Sequence, residues 1–174
     1  MKDLASFDIP PGVRQADDPI VVLVNVHLHL EAFIIELASR RLAKPAALDF
    51  DRLNFPAKLG LAIALGAVPE IAGPALRTIN TIRNRLAHNL RADVTEADGN
   101  TLRHQMSFIA SDDNDDASLA PFRRVLLLAL TLQAWLNGVV SAAESGLRLS
   151  PEAIKQMAEA RYPMPPDPEP EAVL

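Results

Sequence analysis

The sequence of 174 residues contains no cysteine, and aromatic residues make up only 5% of it. Without cysteine the chain can form no disulfide, thiolate zinc site, iron–sulfur cluster or cysteine nucleophile. The scarcity of aromatic residues, beside many Ala and Leu residues, favours helices over β-sandwiches and barrels. Hydrophobic residues make up 49% of the chain, so it can bury a core.

The chain also lacks an excess of positive charge and a long apolar run. Its 17 basic and 22 acidic residues give a net charge of −5, which excludes a uniformly basic nucleic-acid coat but not a local basic patch. The apolar run at residues 125–132 contains only Thr131 as a polar residue, whereas a membrane-spanning helix needs about 20 apolar residues. Residues 1–11 contain no apolar run of signal-peptide length. We therefore expect a soluble, cytoplasmic protein that does not associate with a membrane.

Segments with helix-breaking residues mark both ends of the chain. Residues 1–17 are predicted to form a flexible N-terminal arm, because Pro and Gly interrupt regular structure there. Residues 162–174 are predicted to form a proline-rich acidic tail. Residues 18–161 are predicted to form a single helical domain.

Apolar periodicity and helix-breaking residues divide this domain into helices. The third helix is predicted to end near residue 90, and the segment 92–117 fits either a short helix or a small hairpin, with a turn indicated at Asp98-Gly99. Pro45 should end the first helix and Gly66 should cap the second. The sequence predicts an all-α, up-and-down bundle of four to five helices. The predicted helices cover residues 20–43, 53–65, 74–90, 118–145 and 151–161.

The third helix has an apolar face and a strongly polar one. On an ideal helix, with about 100° per residue, its apolar side chains fall within an arc of about 120°. They are Leu76, Ile79, Ile82, Leu86 and Leu90. The opposite arc carries Asn80, Arg91, Asn84, Arg77, His88, Thr81 and Arg85. Residues 77–91 contain four arginines and no acid, so they form the one dense basic patch of an acidic chain.

Arginine and histidine together suit the cleavage of RNA. Guanidinium groups bind phosphate in a bidentate manner, and an imidazole exchanges a proton near neutral pH. A histidine can assist attack by the ribose 2′-hydroxyl or protonate the leaving oxygen, while an arginine stabilises charge on the phosphorus oxygens. Arg83 lies about 140° from His88, near the edge of the apolar face. Its long stem can reach round the helix, or it can serve a neighbouring subunit.

The segment Arg83–His88, read as RNRLAH, resembles the Arg-x-x-x-x-His motif of the HEPN superfamily, in the form with Asn after the Arg. Residues 53–66, read as LNFPAKLGLAIALG, are similar to the helix that precedes this motif in small HEPN-like proteins. They also resemble a segment of the mannitol operon repressor family. The resemblance covers about residues 20–146.

The resemblance implies a bundle of four to five helices, commonly a homodimer in which the motifs of two subunits meet and cleave RNA without a metal ion or cofactor. Carried over by position, the catalytic residues are Arg83, Asn84 and His88. The neighbouring arginines would bind RNA phosphates, and these are Arg77, Arg85 and Arg91. Two antiparallel copies would bring each Arg83 towards the other subunit's His88.

The resemblance also implies biological roles. Many active HEPN members are toxins or phage-defence nucleases that an antitoxin partner restrains. We therefore expect an RNA-binding, metal-independent endoribonuclease of toxin or phage-defence type. The alternative is a non-catalytic, mannitol-repressor-like regulator that acts through protein–protein contacts. Sequence-specific DNA binding is not expected, because no basic recognition helix stands out.

Three further features have competing interpretations. His27 and Glu31 have the i,i+4 spacing of a helical metal pair, but His29 points elsewhere and further ligands are lacking. We favour polar positions on a buried helix that line the same cleft as His88, and expect no metal. Isolated His104 is expected at the surface. Trp135 is a candidate dimer anchor if its helix keeps an exposed stripe.

Overall fold

A computed structural model describes residues 19–89, 91–109 and 120–144 of the chain. These residues form five α-helices joined by turns and short 3₁₀ segments, and they contain no strand. The all-α prediction is therefore confirmed. The helices are α1 (Pro19–Arg41), α2 (Phe55–Ala64), α3 (Gly73–His88), α4 (Glu96–Gln105) and α5 (Pro121–Glu144).

Helix α1 lies at the centre of a helical bundle. It packs against α2, α3 and α5, while α4 packs against α3 and α5. The core is almost entirely aliphatic, as expected from the composition. Trp135 of α5 is only 5% exposed and makes an edge-on contact with Phe108, at 4.9 Å between ring centroids. Because Trp135 is buried within the chain, the idea that it anchors a dimer is wrong.

Local sequence signals account for the ends of α2. The side chain of Asn54 accepts a hydrogen bond of 3.0 Å from the backbone N–H of Ala57, and Pro56 occupies the first turn, where its missing N–H is harmless. Gly66 follows the helix with a φ of 62°, a left-handed conformation that glycine adopts without steric cost. The predicted cap at Gly66 is thus confirmed.

The apolar face predicted for α3 is buried, and its members in the described residues are Leu76, Ile79, Ile82 and Leu86. The helix begins at Gly73, with Pro74 in its first turn, and ends at His88. It therefore ends two residues before the predicted limit. Leu90, the fifth predicted member of this face, lies outside the described residues.

The segment after α3 forms a helix rather than a hairpin, and the turn predicted at Asp98-Gly99 is wrong. Asp98 is the third residue of α4, and its carboxylate accepts a hydrogen bond of 2.7 Å from the backbone N–H of Thr95. The Thr95 hydroxyl accepts in return from the N–H of Asp98 at 3.3 Å. This capping box starts a helix. Gly99 is buried because the Arg124 side chain of α5 crosses it.

Several sequence predictions lie outside the described residues. They concern the arm at residues 1–17, the helix cap at Ser118, the final helix at residues 151–161 and the tail at residues 162–174.

Two helices in the described part of the chain are long and apolar enough to cross a membrane, judged by length and composition. They are Ile20–Arg41 and Pro121–Ala142, and 44% and 61% of their most apolar windows are buried inside the protein. Polar residues interrupt the apolar sequence of both helices, so neither contains a long unbroken apolar run. Core helices of soluble proteins share this composition, and the cytoplasmic location stays a prediction.

Candidate functional site

The polar residues of α3 are distributed along its whole length. Arg77 is exposed in the first half of the helix, and His88 is its exposed last residue, about 16 Å further along the axis. Arg91 is exposed in the connection that leads to α4. The basic residues therefore form an extended surface rather than one compact patch.

Two of the three motif residues are in direct contact. Arg83 is half-buried, and its Nη1 donates a hydrogen bond of 2.9 Å to Oδ1 of Asn84. Asn84 precedes His88 by one helical turn, so it lies between Arg83 and His88 on the helix surface. The Arg83 stem thus turns its guanidinium towards the His88 side of α3. Its Nε is buried and has no hydrogen-bond partner among the described residues.

Arg85 is bound by an acid from another helix. Its Nη1 donates to Asp98 Oδ1 at 3.1 Å, and its Nη2 donates to Asp98 Oδ2 and to the Asp93 carbonyl. The hydrogen bond to Asp98 raises the pKa of Arg85. Burial opposes ionisation of Asp98, but hydrogen bonds from Arg85 and Thr95 outweigh it and lower the pKa of its carboxyl. The basic patch read from α3 alone therefore needs correction, because α4 compensates one of its four charges.

Behind the motif, three helices contribute to an interhelical polar cluster of His27, Glu31, Lys58, Asn80 and Arg83. Nε2 of His27, on α1, lies 3.0 Å from Oδ1 of Asn80 on α3. Glu31, one turn after His27, accepts a hydrogen bond of 2.6 Å from the Lys58 ammonium of α2. The same carboxylate lies 3.9 Å from Nδ1 of His27. The cluster therefore links α1 to both α2 and α3.

His27 is the most enclosed polar residue of this cluster. It is 1% exposed, and its ring lies 4.7 Å from the ring of Phe55. Burial lowers the pKa of His27, and the positive charges of Arg83 and Lys58 lower it further, against opposing contributions from Glu31 and Asn80. Because Oδ1 of Asn80 accepts a hydrogen bond, Nε2 of neutral His27 carries the hydrogen. Nδ1 is then a buried acceptor that lacks a hydrogen-bond partner in the described residues.

The interpretation of His27 as a polar position on a buried helix is confirmed. His27 contacts Asn80, which lies about 12 Å from His88 along the axis of α3. The prediction that His27 and His88 line the same cleft is not tested by this contact and stays a prediction. The described residues contain no group of three or more His, Asp or Glu side chains that could hold a metal ion. Glu31 is instead bound to Lys58. His29 is half-buried, and His104 is exposed as expected.

The sequence analysis missed Asn80 and Lys58 as members of the cluster. Asn80 was assigned to the solvent side of α3, but α1 and α4 both pack against this helix and enclose more than the apolar arc. A signal was present in the spacing, since Asn80 is neighbour to both Arg83 and Asn84 on an ideal helix. Lys58 is a charged residue in the otherwise apolar helix α2, a position that calls for a buried partner.

A separate cleft of about 100 Å³ lies at the far end of α1. Its lining includes Leu37 and Arg41 of α1, Gly66 after α2, and Val140 of α5, but no residue of α3. It is therefore distinct from the candidate site.

Comparisons of the chain with protein-family models, with curated proteins and with solved structures find no match.

Proposed function

We propose that this protein is a HEPN-like RNA-binding protein that cleaves RNA without a metal ion. One observation carries the proposal: on α3, Asn84 holds the Arg83 guanidinium on the side that leads to the exposed imidazole of His88. A fixed cation and an accessible proton-transfer group are the two elements that this chemistry needs.

In the proposed reaction, the ribose 2′-oxygen attacks the adjacent phosphorus, and the bond from phosphorus to the 5′-oxygen breaks. The products are a 2′,3′-cyclic phosphate and a 5′-hydroxyl. His88 takes the proton from the 2′-hydroxyl while water protonates the leaving oxygen, or it gives a proton to the leaving oxygen while water accepts the proton of the 2′-hydroxyl. Arg83 donates hydrogen bonds to the non-bridging oxygens as their charge increases, and Asn84 orients Arg83. DNA lacks the internal nucleophile and is therefore no substrate.

The proposed RNA-binding surface extends along α3. Arg77 and Arg91 are exposed and can contact phosphates on either side of the scissile bond. Arg85 contributes less free charge, because Asp98 already binds its guanidinium. Because the whole chain has a net charge of −5, RNA binding requires a locally basic surface such as this one.

The active form is proposed to be a homodimer. The backbone positions of Arg83 and His88 lie about 140° apart around α3, so a second copy can bring its own Arg83 to this motif, in addition to the Arg83 that Asn84 holds within the same chain. A fully active monomer would contradict this arrangement. As a toxin or phage-defence nuclease, the protein would be cytoplasmic and would have an antitoxin protein as a partner.

The test is incubation of purified protein with tRNA and total RNA in EDTA. Wild type should cleave, and His88→Ala and Arg83→Ala should each lose at least about 100-fold in rate, as expected for loss of a proton-transfer group or an oxyanion ligand. His104→Ala is the matched control, because it removes an exposed imidazole on α4 and should leave the rate unchanged. Cleavage that persists in His88→Ala, or that EDTA abolishes, would contradict the proposal.

The second candidate function is a non-catalytic regulator that binds another protein. Exposed apolar side chains favour it: Val21 and Leu28 are 45% and 47% exposed and lie two turns apart on α1. In that case His88→Ala would retain function, whereas Leu28→Glu would abolish partner binding. If neither wild type nor His88→Ala cleaves any of several RNAs, and both proteins are shown to be folded, the result would favour this candidate.

A further inference from the structure

The interhelical polar cluster lies against the buried side of the motif. The His27 side chain of α1 donates to Asn80, and Asn80, Arg83 and Asn84 are spaced i, i+3 and i+4 on α3. Asn80 and Asn84 therefore flank Arg83 along the helix. One is held by His27, and the other accepts a hydrogen bond from Arg83 itself.

We propose that neutral His27 is a positioning residue for Arg83, and that protonation of His27 drives the Arg83 guanidinium out of its place and turns the site off. This proposal rests on the function proposed above and names how that same site is regulated. It assigns His27 no contact with RNA.

The charges around His27 give the physical reason. Arg83 of α3 lies one helical turn after Asn80, the residue that His27 contacts, and Lys58 of α2 is bound to the Glu31 carboxylate beside His27 on α1. The positive charges of both Arg83 and Lys58 act on the His27 ring. Glu31 is already bound to Lys58 at 2.6 Å. A proton on Nδ1 of His27 would add a third positive charge to a buried space with one carboxylate. Repulsion between like charges is strong where water is excluded.

Arg83 is the group that can give way. It is half-buried near the edge of the apolar face, and its long stem allows the guanidinium to move to solvent without breaking the helix. Its buried Nε has no hydrogen-bond partner in the described part of the chain to hold it back. Displacement would break the hydrogen bond to Asn84 and remove the cation from the proposed site.

The pH direction follows from the lowered pKa of His27. Above its ordinary value of 6.5, His27 is neutral in the folded and the unfolded chain. As the pH falls below 6.5, the unfolded chain takes up the proton first, so that acid weakens the folded arrangement. The site should therefore work near neutral pH and fail on acidification.

Two readouts test the proposal on the full chain. The first is the NMR signal of the buried Arg83 Nε–H, followed as the pH falls from 7.5 to 5. In wild type this signal should shift with a midpoint below 6.5. In His27→Gln, whose amide N–H can still donate to Asn80 but does not titrate, it should not shift. His29→Gln removes an imidazole two residues away on α1 and should behave as wild type.

The second readout is the ratio of the wild-type RNA cleavage rate to that of His27→Gln at each pH. The ratio cancels every pH effect that the two proteins share, and it should fall by about tenfold per pH unit below the His27 midpoint. His27→Phe, which keeps an aromatic ring but cannot donate to Asn80, should be slow at every pH. A rate ratio that does not change with pH, or an Arg83 Nε–H signal that does not shift with pH, would overturn the proposal. Complete lack of cleavage with a shifting Arg83 signal would instead reject the nuclease function while retaining the link between His27 and Arg83.

Discussion

Two of the polar contacts that join α3 to its neighbouring helices differ in how fully their groups are paired. On one side, Arg85 of α3 meets Asp98 of α4, which also caps its own helix through Thr95. On the other, the interhelical polar cluster leaves Nδ1 of His27 and Nε of Arg83 buried without hydrogen-bond partners among the described residues.

This difference has a consequence for stability. A fully satisfied contact fixes one arrangement of two helices, whereas a buried polar atom without a partner costs about 1–3 kcal/mol. Proteins contain few such atoms, and each needs an explanation. The Arg85–Asp98 contact is therefore interpreted as a clamp that holds α4. The interhelical polar cluster is interpreted as part of the site, with groups that can change partner or charge.

The largest expected effect comes from removing one partner of the buried Glu31–Lys58 pair. Lys58→Met leaves the Glu31 carboxylate with no bound cation, and should lower the free energy of unfolding by about 3 kcal/mol. Urea denaturation measures this. The double variant Glu31→Gln/Lys58→Met removes both charges and should recover most of the loss. If the double variant is no more stable than the single one, the pair is not the cause.

A smaller loss is expected at the clamp. Asp98→Ala removes the carboxylate that binds Arg85 and completes the capping box, and it should lower the unfolding free energy by about 2 kcal/mol. The loss is smaller than for Lys58→Met, because Arg85 is more than one-third exposed and solvent weakens its ion pair.

Asp98→Asn is the matched control for the clamp. Its amide oxygen can still accept from the Thr95 N–H, so that only the charge contribution is lost and the effect should be about half as large. Thermal unfolding of both variants should rank them in this order. An equal loss in both would assign the whole effect to charge.

The smallest expected effect compares two helical glycines. A Cβ at Gly99 would lie 2.8 Å from Cδ of the buried Arg124 side chain, which is held by Glu96 and Asn100. Gly99→Ala should therefore destabilise the protein by about 1–2 kcal/mol, despite the better helix propensity of alanine.

Gly60 of α2 supplies the control for Gly99, since a Cβ there has no neighbouring atom within 4 Å. Gly60→Ala should stabilise the protein by about 0.5–1 kcal/mol. Opposite signs in thermal unfolding would support the close approach of α5 to α4. Stabilisation by both substitutions would contradict it.

Much of the fold could be predicted from local sequence signals. The Asn54, Pro56 and Gly66 signals act within a few residues, so they mark the limits of α2 without reference to the rest of the chain. The segment around Asp98 was harder, because Asp98-Gly99 is typical of a turn. Only the reciprocal hydrogen bonds with Thr95 identify it as the start of a helix.

The candidate site divides in the same way. The spacing of Arg83, Asn84 and His88 on one helix was determined by the sequence alone, since the period of an α-helix sets which residues are neighbours. The sequence also determined the all-α class through its aliphatic composition and regular apolar spacing. Only the tertiary structure decided that Asp98 compensates Arg85 and that His27 meets Asn80. Those contacts join residues 13 and 53 positions apart, and the packing of whole helices, rather than any local preference, brings such residues together.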